Sequence, residues 1–337
     1  MMELNVLWFV LITVLFTGFF FLEGFDYGVG GLAPFMGRTD EERGMIIRTI
    51  GPVWDGNEVW MITAGGALFA AFPHVYSTMF STFYLALFLM LVALILRGVA
   101  FELRGKADCL CWRRFWEGCI AFGSIVPAFL WGVAVTNLIA GLPINNEMHY
   151  LGSFYDLLSA YTIVGGFTFL TVFLFHGAAF LTQRLGDYGL VLRARDFALK
   201  TGAAAIFFFV LCFVLTATKT DLFHSFPAAL LLVLTGVLFI AGYISMGQGK
   251  FRGSFICSSL AIVAVSCSFF TGLFPRLMVS SINPAFSLTI ENASSTPYTL
   301  SIMTVAALVL VPIVLIYQGW CYWVFRHRVT GKDLGNH

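Results

Sequence analysis

The chain has 337 residues, of which 59% are hydrophobic and only 11% are charged, and its mean hydropathy is +0.88. This composition excludes a soluble globular protein and predicts an all-α polytopic membrane protein. The formal net charge of +1 gives no reason to expect an acidic partner such as a nucleic acid. The seven cysteines lack the C-x-x-C spacing of metal or redox sites, so we expect free thiols and no metal site.

Nine apolar segments follow one another along the chain, and each is long enough to cross a bilayer as a helix. Their approximate spans are 6–35, 51–72, 76–100, 117–140, 157–183, 201–218, 227–247, 254–274 and 299–325. The least distinct boundary separates the sixth and seventh segments, where the sequence KTDLFHSFP supplies the break. We therefore predict nine transmembrane helices joined by short loops.

Positively charged residues lie mostly in the loops that follow the odd-numbered segments and in the C-terminal tail. These regions hold 16 of the 19 Lys and Arg residues, whereas Lys219 and Arg276 lie in other loops and Arg97 lies inside the third segment. Because basic loops stay on the cytoplasmic side of a membrane, this bias predicts an N-terminus outside and a C-terminus inside.

The ends of the first and fifth segments, GFDYGVGGLAPFMGR and LFHGAAFLTQRLG, both place a polar residue before small residues and an arginine. This similarity suggests an internal repeat of the kind found in membrane proteins. We therefore predict two units. Residues 1–145 would form a first four-helix bundle with the polar cluster, and residues 146–337 would form a second four-helix bundle plus one peripheral ninth helix.

The second apolar segment, GPVWDGNEVWMITAGGALFAAF (51–72), carries two acids at membrane depth. The i, i+3 spacing of Asp55 and Glu58 places both carboxylates on one helix face, with Trp54 one turn before Glu58 on the same side. A carboxylate inside a membrane helix costs about 2.5–3.5 kcal/mol, so these acids indicate a functional site. The alternative is a short amphipathic re-entrant segment, or acids at the level of the lipid headgroups.

Helical rise, counted from the nearest inner arginine, places several ionisable residues in the inner half of the membrane. The depths are about 18, 10, 15, 10 and 12 Å for Asp26, Asp55, Glu58, Arg97 and His176, and Glu102 lies near the inner interface. Arg97 can pair with Asp55 or Glu58, and Glu23, one turn before Asp26, could line the same face or cap a helix break. Such a cluster predicts proton uptake from the inner side. The alternative is a static buried ion pair that holds three helices in register.

His176 is the one histidine that lies well inside an apolar segment. A bundle rich in phenylalanine could hold haem, and His176 would then be a candidate axial ligand. The favoured alternative is a hydrogen-bonded core histidine. Since the other histidines lie in loops or at segment ends, we expect any redox centre to belong to a partner.

Three runs of sequence resemble subunit II of the cytochrome bd-type quinol oxidases, namely GFDYGVG (24–30), WDGNEVWMITAGGALFAAFP (54–73) and LRGVAFELRGK (96–106). The resemblance continues through GSIVPAFLWGVAVTNLIAGLP (123–143) and covers the whole chain in length and number of helices. It is densest over the first 145 residues, and the C-terminal half matches mainly in hydropathy.

The resemblance implies a subunit of a respiratory enzyme that oxidises quinol, reduces dioxygen to water and builds a proton gradient without pumping. In this family, subunit I holds two b-type haems and one d-type haem, and subunit II is its pseudo-symmetric partner of nine helices without a haem of its own. Some members hold a structural quinone in this subunit, and the family also recruits a small single-helix subunit. The implied location is the bacterial cytoplasmic (inner) membrane.

The resemblance also implies roles for individual residues. Asp26, Trp54, Asp55 and Arg97 match positions linked with an inward-opening proton pathway towards the haems. Family members often have Gln where this chain has Glu58, so this departure would add a titratable site.

Two other functions remain open at this point. A proton-coupled secondary transporter would explain acids at membrane depth, although transporters usually place their sites near the midplane with broken helices in both halves. A purely structural scaffold subunit would use the buried charges only to lock helices together. In the leading hypothesis the chain supports the haem-bearing subunit and supplies a proton uptake path, for which the candidates are Asp26, Trp54, Asp55, Glu58, Arg97 and Glu102.

Overall fold

The computed structural model describes residues 3–334, and eleven α-helices make up most of this range. The helices are α1 (Leu4–Met36), α2 (Asp40–Arg48), α3 (Trp54–Ala71), α4 (Pro73–Thr82), α5 (Tyr84–Leu103), α6 (Leu110–Ala140), α7 (Ala160–Arg184), α8 (Tyr188–Lys219), α9 (Phe226–Gly247), α10 (Phe251–Leu273) and α11 (Pro297–Val324). Between α10 and α11, two short strands, β1 (Arg276–Met278) and β2 (Leu288–Thr289), pair antiparallel.

Each predicted apolar segment overlaps a single helix over most of its length, except that the third is divided at Phe83 into α4 and α5. Helices α6 and α8 begin earlier than predicted, at Leu110 and Tyr188 instead of at residues 117 and 201. In the described part of the chain, eight helices are long and apolar enough to cross a membrane, namely α1 and α5 to α11. Helix α3 is not among them, because Asp55, Asn57 and Glu58 lower the hydropathy of its 18 residues. The all-α polytopic class is confirmed, and the count of nine crossings stays a prediction.

Helix α1 lies at the centre of the bundle, where it packs against α3, α6, α7 and α10. Residues 23–33 are all buried, so this part of α1 has neighbours on every side. Glycine makes the close approach feasible, because a Cβ atom on Gly28 would lie 2.0 Å from the carbonyl oxygen of Phe173 on α7. A Cβ atom on Gly30 would likewise lie 2.1 Å from the Ser124 hydroxyl on α6. The polar residues of α1 are therefore enclosed by its neighbours.

The short helix α2 is fixed at one end of the bundle by charged contacts. Its N-terminus forms a capping box in which the Thr39 and Glu42 side chains accept from each other's backbone N–H groups. The Glu42 carboxylate also forms an ion pair with Arg193 on α8. In addition, Arg43 Nε lies 2.7 Å from Glu117 Oε2 on α6. These contacts tie α2 to α6 and α8.

The opposite end of the bundle is covered by the loop 141–159 and the segment 274–296. The Leu142 N–H group donates to the Val279 carbonyl oxygen at 2.9 Å, and the Ser295 N–H group donates to the Ala71 carbonyl oxygen at 2.8 Å. Helix α11 follows this cap and lies at the edge of the bundle, since Leu300 is the only buried residue along its length. The predicted unit boundary at residue 145 lies in the loop between α6 and α7.

We expect Gly28→Ala to disrupt the packing of α1 against α7, because the new methyl group would overlap the α7 backbone. Overpacking usually costs about 1–3 kcal/mol, and a contact with backbone should give the upper part of this range. The unfolding temperature and the yield of purified protein measure the effect. Gly118→Ala on α6 is the control, since its added methyl group would meet no atom within 4 Å. Equal losses in both variants would contradict the prediction.

The hydrogen bond from Arg193 holds the pKa of Glu42 at about 2, well below its ordinary value of 4.5, although partial burial opposes this shift. A carboxylate with a lowered pKa stabilises the folded state above its unfolded pKa, and this contribution is lost as the pH falls from about 4.5 towards 2. We therefore expect the unfolding temperature of Arg193→Gln to fall less than that of the unmodified protein when the pH is lowered from neutral to about 3.

The control for this measurement is Arg195→Gln, because Arg195 on the same helix donates to the carbonyl oxygens of Met246 and Gly247 instead of to an acid. This variant should keep the pH dependence of the unmodified protein. If Arg193→Gln shows the same pH dependence as the unmodified protein, the pKa of Glu42 is not lowered by its ion pair with Arg193.

Candidate functional site

Three helices bring ionisable side chains to one point inside the bundle. Glu23 and Asp26 lie one turn apart on α1, Glu58 lies on α3 and Arg97 lies on α5. Glu23, Asp26 and Arg97 are 0% exposed, whereas the Glu58 side chain is 17% exposed. Helix α5 approaches α6 closely at Gly123, where a Cβ atom would lie 2.4 Å from Arg97 Cβ. The acids and their counter-charge are thus enclosed by protein.

Arg97 is the common counter-charge of this cluster. Its guanidinium forms an ion pair with Glu23, and its Nη1 atom lies 3.9 Å from Glu58 Oε2. Its Cζ atom lies 4.9 Å from the centre of the Tyr27 ring and 5.6 Å from the centre of the Phe101 ring. Aromatic faces attract a cation without adding a charge, so they stabilise the guanidinium away from water.

Asp26 is held by an amide. Asn57 on α3 is completely buried, and its Nδ2 donates to Asp26 Oδ2 at 2.6 Å. The Asn57 Oδ1 atom accepts from Tyr322 Oη at 2.7 Å and from Gln318 Nε2 at 3.2 Å, both on α11. Helices α3 and α11 therefore both contribute to the surroundings of the acid.

Several buried polar atoms of the cluster have no hydrogen-bond partner among residues 3–334. They are Glu23 Oε2, Asp26 Oδ1, Tyr27 Oη, Glu58 Oε2, and Arg97 Nε and Nη2. Buried polar atoms of this kind are rare in proteins, and they are the atoms to which internal water binds. The cluster also has three carboxyl groups for one guanidinium, so its charges do not balance when all three carboxyl groups are ionised.

The structure brings together three of the predicted site residues, Asp26, Glu58 and Arg97. The expected pairing of Arg97 with Glu58 is confirmed at 3.9 Å, but its direct partner is Glu23, for which the sequence left two roles open. The alternative pairing of Arg97 with Asp55 is wrong. Asp55 lies in the first turn of α3 with an exposed side chain, one turn away from Glu58, and does not reach the guanidinium.

The other predicted residues lie near the start of α3 and the end of α5. Trp54 is half-buried and stacks on Phe101, with ring centres 4.8 Å apart. Asp55 and Glu102 are exposed, and neither forms a hydrogen bond or an ion pair with the residues that the structure describes. These three side chains therefore lie beside the cluster and outside its hydrogen-bond network.

Sequence reasoning did not identify Asn57, Gln318 and Tyr322 as members of the site. Asn57 lies inside the same W-D-G-N-E-V-W run as the predicted acids, so its position in that run was an available signal. Gln318 and Tyr322 are spaced i, i+4 in an otherwise apolar helix, which places both on one face. That spacing alone could not show which helix they contact.

Comparison with known proteins identifies the family of this chain. A family model described as cytochrome bd terminal oxidase subunit II matches residues 4–325. The chain belongs to this family. The resemblance based on the sequence motifs is thereby confirmed, and the subunit II chain is a multi-pass protein of a bacterial inner membrane.

Relatives of this subunit II align over nearly its whole length. Cytochrome bd ubiquinol oxidase subunit 2 of Bacillus subtilis (strain 168) is 43% identical over 99% of this chain and 99% of its own. Cytochrome bd-I ubiquinol oxidase subunit 2 of Escherichia coli (strain K12) is 35% identical over 98% and 96%. A chain in the solved structure of bd oxidase from Geobacillus thermodenitrificans has a TM-score of 0.73, covering 94% of this chain and 98% of that one. At 18% identity it shows a shared fold.

His176 of this subunit II does not fit the role of a haem ligand. It is completely buried, with Nδ1 at 2.8 Å from Ser258 Oγ and Nε2 at 3.3 Å from the Phe21 carbonyl oxygen. Its ring also stacks on Phe255, with centres 4.9 Å apart. Both ring nitrogens are engaged, as expected for a hydrogen-bonded core histidine. Among the described residues, no group of three or more His, Cys, Asp and Glu side chains could hold a metal.

We expect Arg97→Met to destabilise this subunit strongly, because it leaves Glu23 buried without its counter-charge. Breaking a buried ion pair by removing one partner costs about 3–5 kcal/mol. The double variant Arg97→Met/Glu23→Gln should recover part of this loss, since the uncompensated carboxylate is removed as well. The unfolding temperature of the purified complex measures both effects.

The control for this experiment is Arg114→Met, which removes an exposed arginine near the start of α6. It should leave the unfolding temperature almost unchanged. A double variant that is less stable than Arg97→Met would show that the ion pair is not the source of the loss.

Proposed function

We propose that this subunit II works in a quinol oxidase complex, in which a haem-bearing subunit I oxidises quinol and reduces dioxygen to water. The membership of the family supports this proposal, and so do the names of the relatives, which are ubiquinol oxidase subunits. Two b-type haems and one d-type haem, all in subunit I, would supply the redox chemistry. The residues of this chain would support subunit I and handle protons.

In the proposed topology the chain crosses the membrane nine times, with α3 as the second crossing. A length of 18 residues gives α3 about 27 Å, which is close to the thickness of the hydrocarbon core. The N-terminus is then outside and the C-terminus inside, in agreement with the 16 basic residues in inner loops and tail. This orientation places α2 and its ion pairs at the cytoplasmic surface.

The proposed proton path opens at this cytoplasmic surface. Asp55 and Glu102 are exposed near the start of α3 and the end of α5, where they can take up protons from water. Asp26 lies ten residues before the end of α1, or about 15 Å deeper. We propose that protons pass from the exposed acids beside Trp54 to the cluster of Asp26, Glu23, Glu58 and Arg97.

The observation that carries the proposal is the excess of acids in the buried cluster. A static ion pair needs one carboxylate for each guanidinium, whereas three carboxyl groups surround Arg97 and several of their oxygens have no partner in the described chain. Buried acids without matching counter-charges are expensive, and in membrane proteins they mark proton relays. A purely structural scaffold gives no reason for the additional carboxyls.

We expect Asp26→Asn and Asp55→Asn to lower the rate of oxygen consumption with excess quinol, since each removes a group that can carry a proton. A loss of about tenfold corresponds to about 1.4 kcal/mol in the barrier. The measurement is the turnover of the purified complex over a range of pH, with haem content checked from the optical spectrum.

Asp108→Asn is the matched control, because Asp108 is an exposed acid in the loop between α5 and α6. It should leave turnover unchanged. If Asp26→Asn and Asp55→Asn also leave turnover unchanged at every pH while the haems are retained, the subunit acts as a scaffold.

A further inference from the structure

Helix α11 contacts the rest of the bundle at two separate places. At its start, the Trp8 indole Nε1 on α1 donates to the Leu300 carbonyl oxygen at 3.2 Å and to Thr304 Oγ1 at 3.1 Å. From residue 308 to residue 324, every residue is exposed except Gln318, Cys321 and Tyr322. The second contact therefore consists mainly of polar side chains, and these point towards α3.

This second contact is a line of hydrogen bonds that ends on Asp26. The Trp60 indole Nε1 on α3 donates to Gln318 Oε1 at 2.8 Å. Gln318 Nε2 donates to Asn57 Oδ1 at 3.2 Å, and Asn57 Nδ2 donates to Asp26 Oδ2 at 2.6 Å. The line leaves α3 at Trp60, passes through α11 and returns to α3 before it reaches α1.

The chemistry of the indole fixes the direction of the whole line. An indole N–H group can only donate, so the Gln318 atom that faces it must be the amide oxygen. The Gln318 NH₂ group then faces Asn57 and can only donate, which turns the Asn57 oxygen towards α11. The Asn57 NH₂ group is consequently directed at Asp26. With the amides reversed, two oxygens would face each other at 2.6 Å.

We propose that Trp60 and Gln318 are positioning residues that direct the Asn57 amide donor at Asp26 and so favour the ionised form of this acid. Hydrogen bonding to the charged form of a carboxyl group stabilises that form. Tyr322 supports the same orientation, since its hydroxyl donates to the same Asn57 oxygen at 2.7 Å. The inference rests on the proposed function to the extent that Asp26 carries protons in turnover.

The position of the Trp60 ring depends on a glycine of α1. A Cβ atom on Gly18 would lie 2.3 Å from the six-membered ring of Trp60, so the absence of a side chain there gives the ring its place against α1. The indole is thereby held where its N–H group reaches Gln318. This contact is separate from the charged cluster and can be changed without altering any of its acids.

Other charged and titratable groups near Asp26 are Glu23 and Tyr27 on α1, Glu58 on α3, Arg97 on α5 and Tyr322 on α11, and His176 on α7 lies against the neighbouring Phe25. A substitution at Trp60 leaves all of these groups in place. A change in the proton affinity of Asp26 in such a variant can therefore be assigned to the line of hydrogen bonds from Trp60 through the Gln318 and Asn57 amides, which we call the amide line.

The test is Trp60→Phe in the assembled complex, since phenylalanine keeps an aromatic ring but cannot donate. Without the indole donor the two amides can reverse, and Asp26 then holds its proton at higher pH. We expect the acidic limb of the pH–turnover profile to move upwards by about 0.5–1 pH unit. An infrared pH titration reports the protonated carboxyl directly, with Asp26→Asn used to assign its band.

Trp8→Phe is the matched control, because it removes the indole donor that joins α1 to the start of α11 and does not touch Asp26. Gln318→Met interrupts the line at its middle and serves as a second variant, so that a poorly folded Trp60→Phe does not end the test. Trp60→Phe and Gln318→Met should both shift the pH midpoint of the Asp26 carboxyl band, and Trp8→Phe should leave this midpoint unchanged.

The outcomes separate this inference from the proposed proton path. If the pH midpoint of the Asp26 band shifts while the pH–turnover profile does not, the role of Trp60 and Gln318 is supported and the proton path through Asp26 is overturned. If the midpoint is unchanged in Trp60→Phe and Gln318→Met while Asp26→Asn still lowers turnover, the role of Trp60 and Gln318 is overturned and the proton path is left intact. Equal shifts in Trp8→Phe and Trp60→Phe would also overturn the proposed role of the amide line, because any loosening of α11 would then suffice.

Discussion

The interior of this subunit depends on the single positive charge of Arg97. It lies where α1, α3 and α5 meet and pairs with Glu23 on α1 and Glu58 on α3, so it links its own helix to both of the others. One helical turn is about 5.4 Å, so sliding any of the three helices by a turn would separate an acid from its counter-charge inside a poorly solvated region. Pairing of the charges therefore fixes the register of the three helices. Glycines at the helix crossings allow the helices to approach closely enough for this pairing.

Much of the fold could be predicted from the sequence, because hydropathy depends on local composition. Every apolar segment became a helix, but the break at Phe83, the short helix α2 and the early start of α8 at Tyr188 were missed, since hydropathy alone does not mark them. Helix α3 shows the limit of this reasoning. The acids of α3 indicated a functional site, yet the same acids lower the hydropathy of this helix so far that composition alone does not establish that it crosses the membrane.

The site was predicted less completely, because helical spacing gives the face of a side chain but not its partner. Asp26, Glu58 and Arg97 were expected at similar depths and do meet, whereas Asp55 differs from Glu58 by one turn and remains exposed. Glu23 and Asn57 became important only once the packing of α1 against α3 and α5 was known. Gln318 contacts Asn57 across 261 positions of sequence, a separation at which periodicity carries no information.

The distance along the chain between Glu23 and Arg97 has a consequence for biosynthesis. These partners are 74 residues apart, and chains grow at about 5–20 residues per second, so α1 exists for about 4–15 s before its counter-charge has been made. During that interval the two acids of α1 have no guanidinium to pair with, and a bare carboxylate in lipid is strongly disfavoured. The acids of α1 are then compatible with full depth in their protonated form, and their ionisation there becomes favourable only once Arg97 has been made. Completion of the charged cluster is thus a late step in the synthesis of this chain.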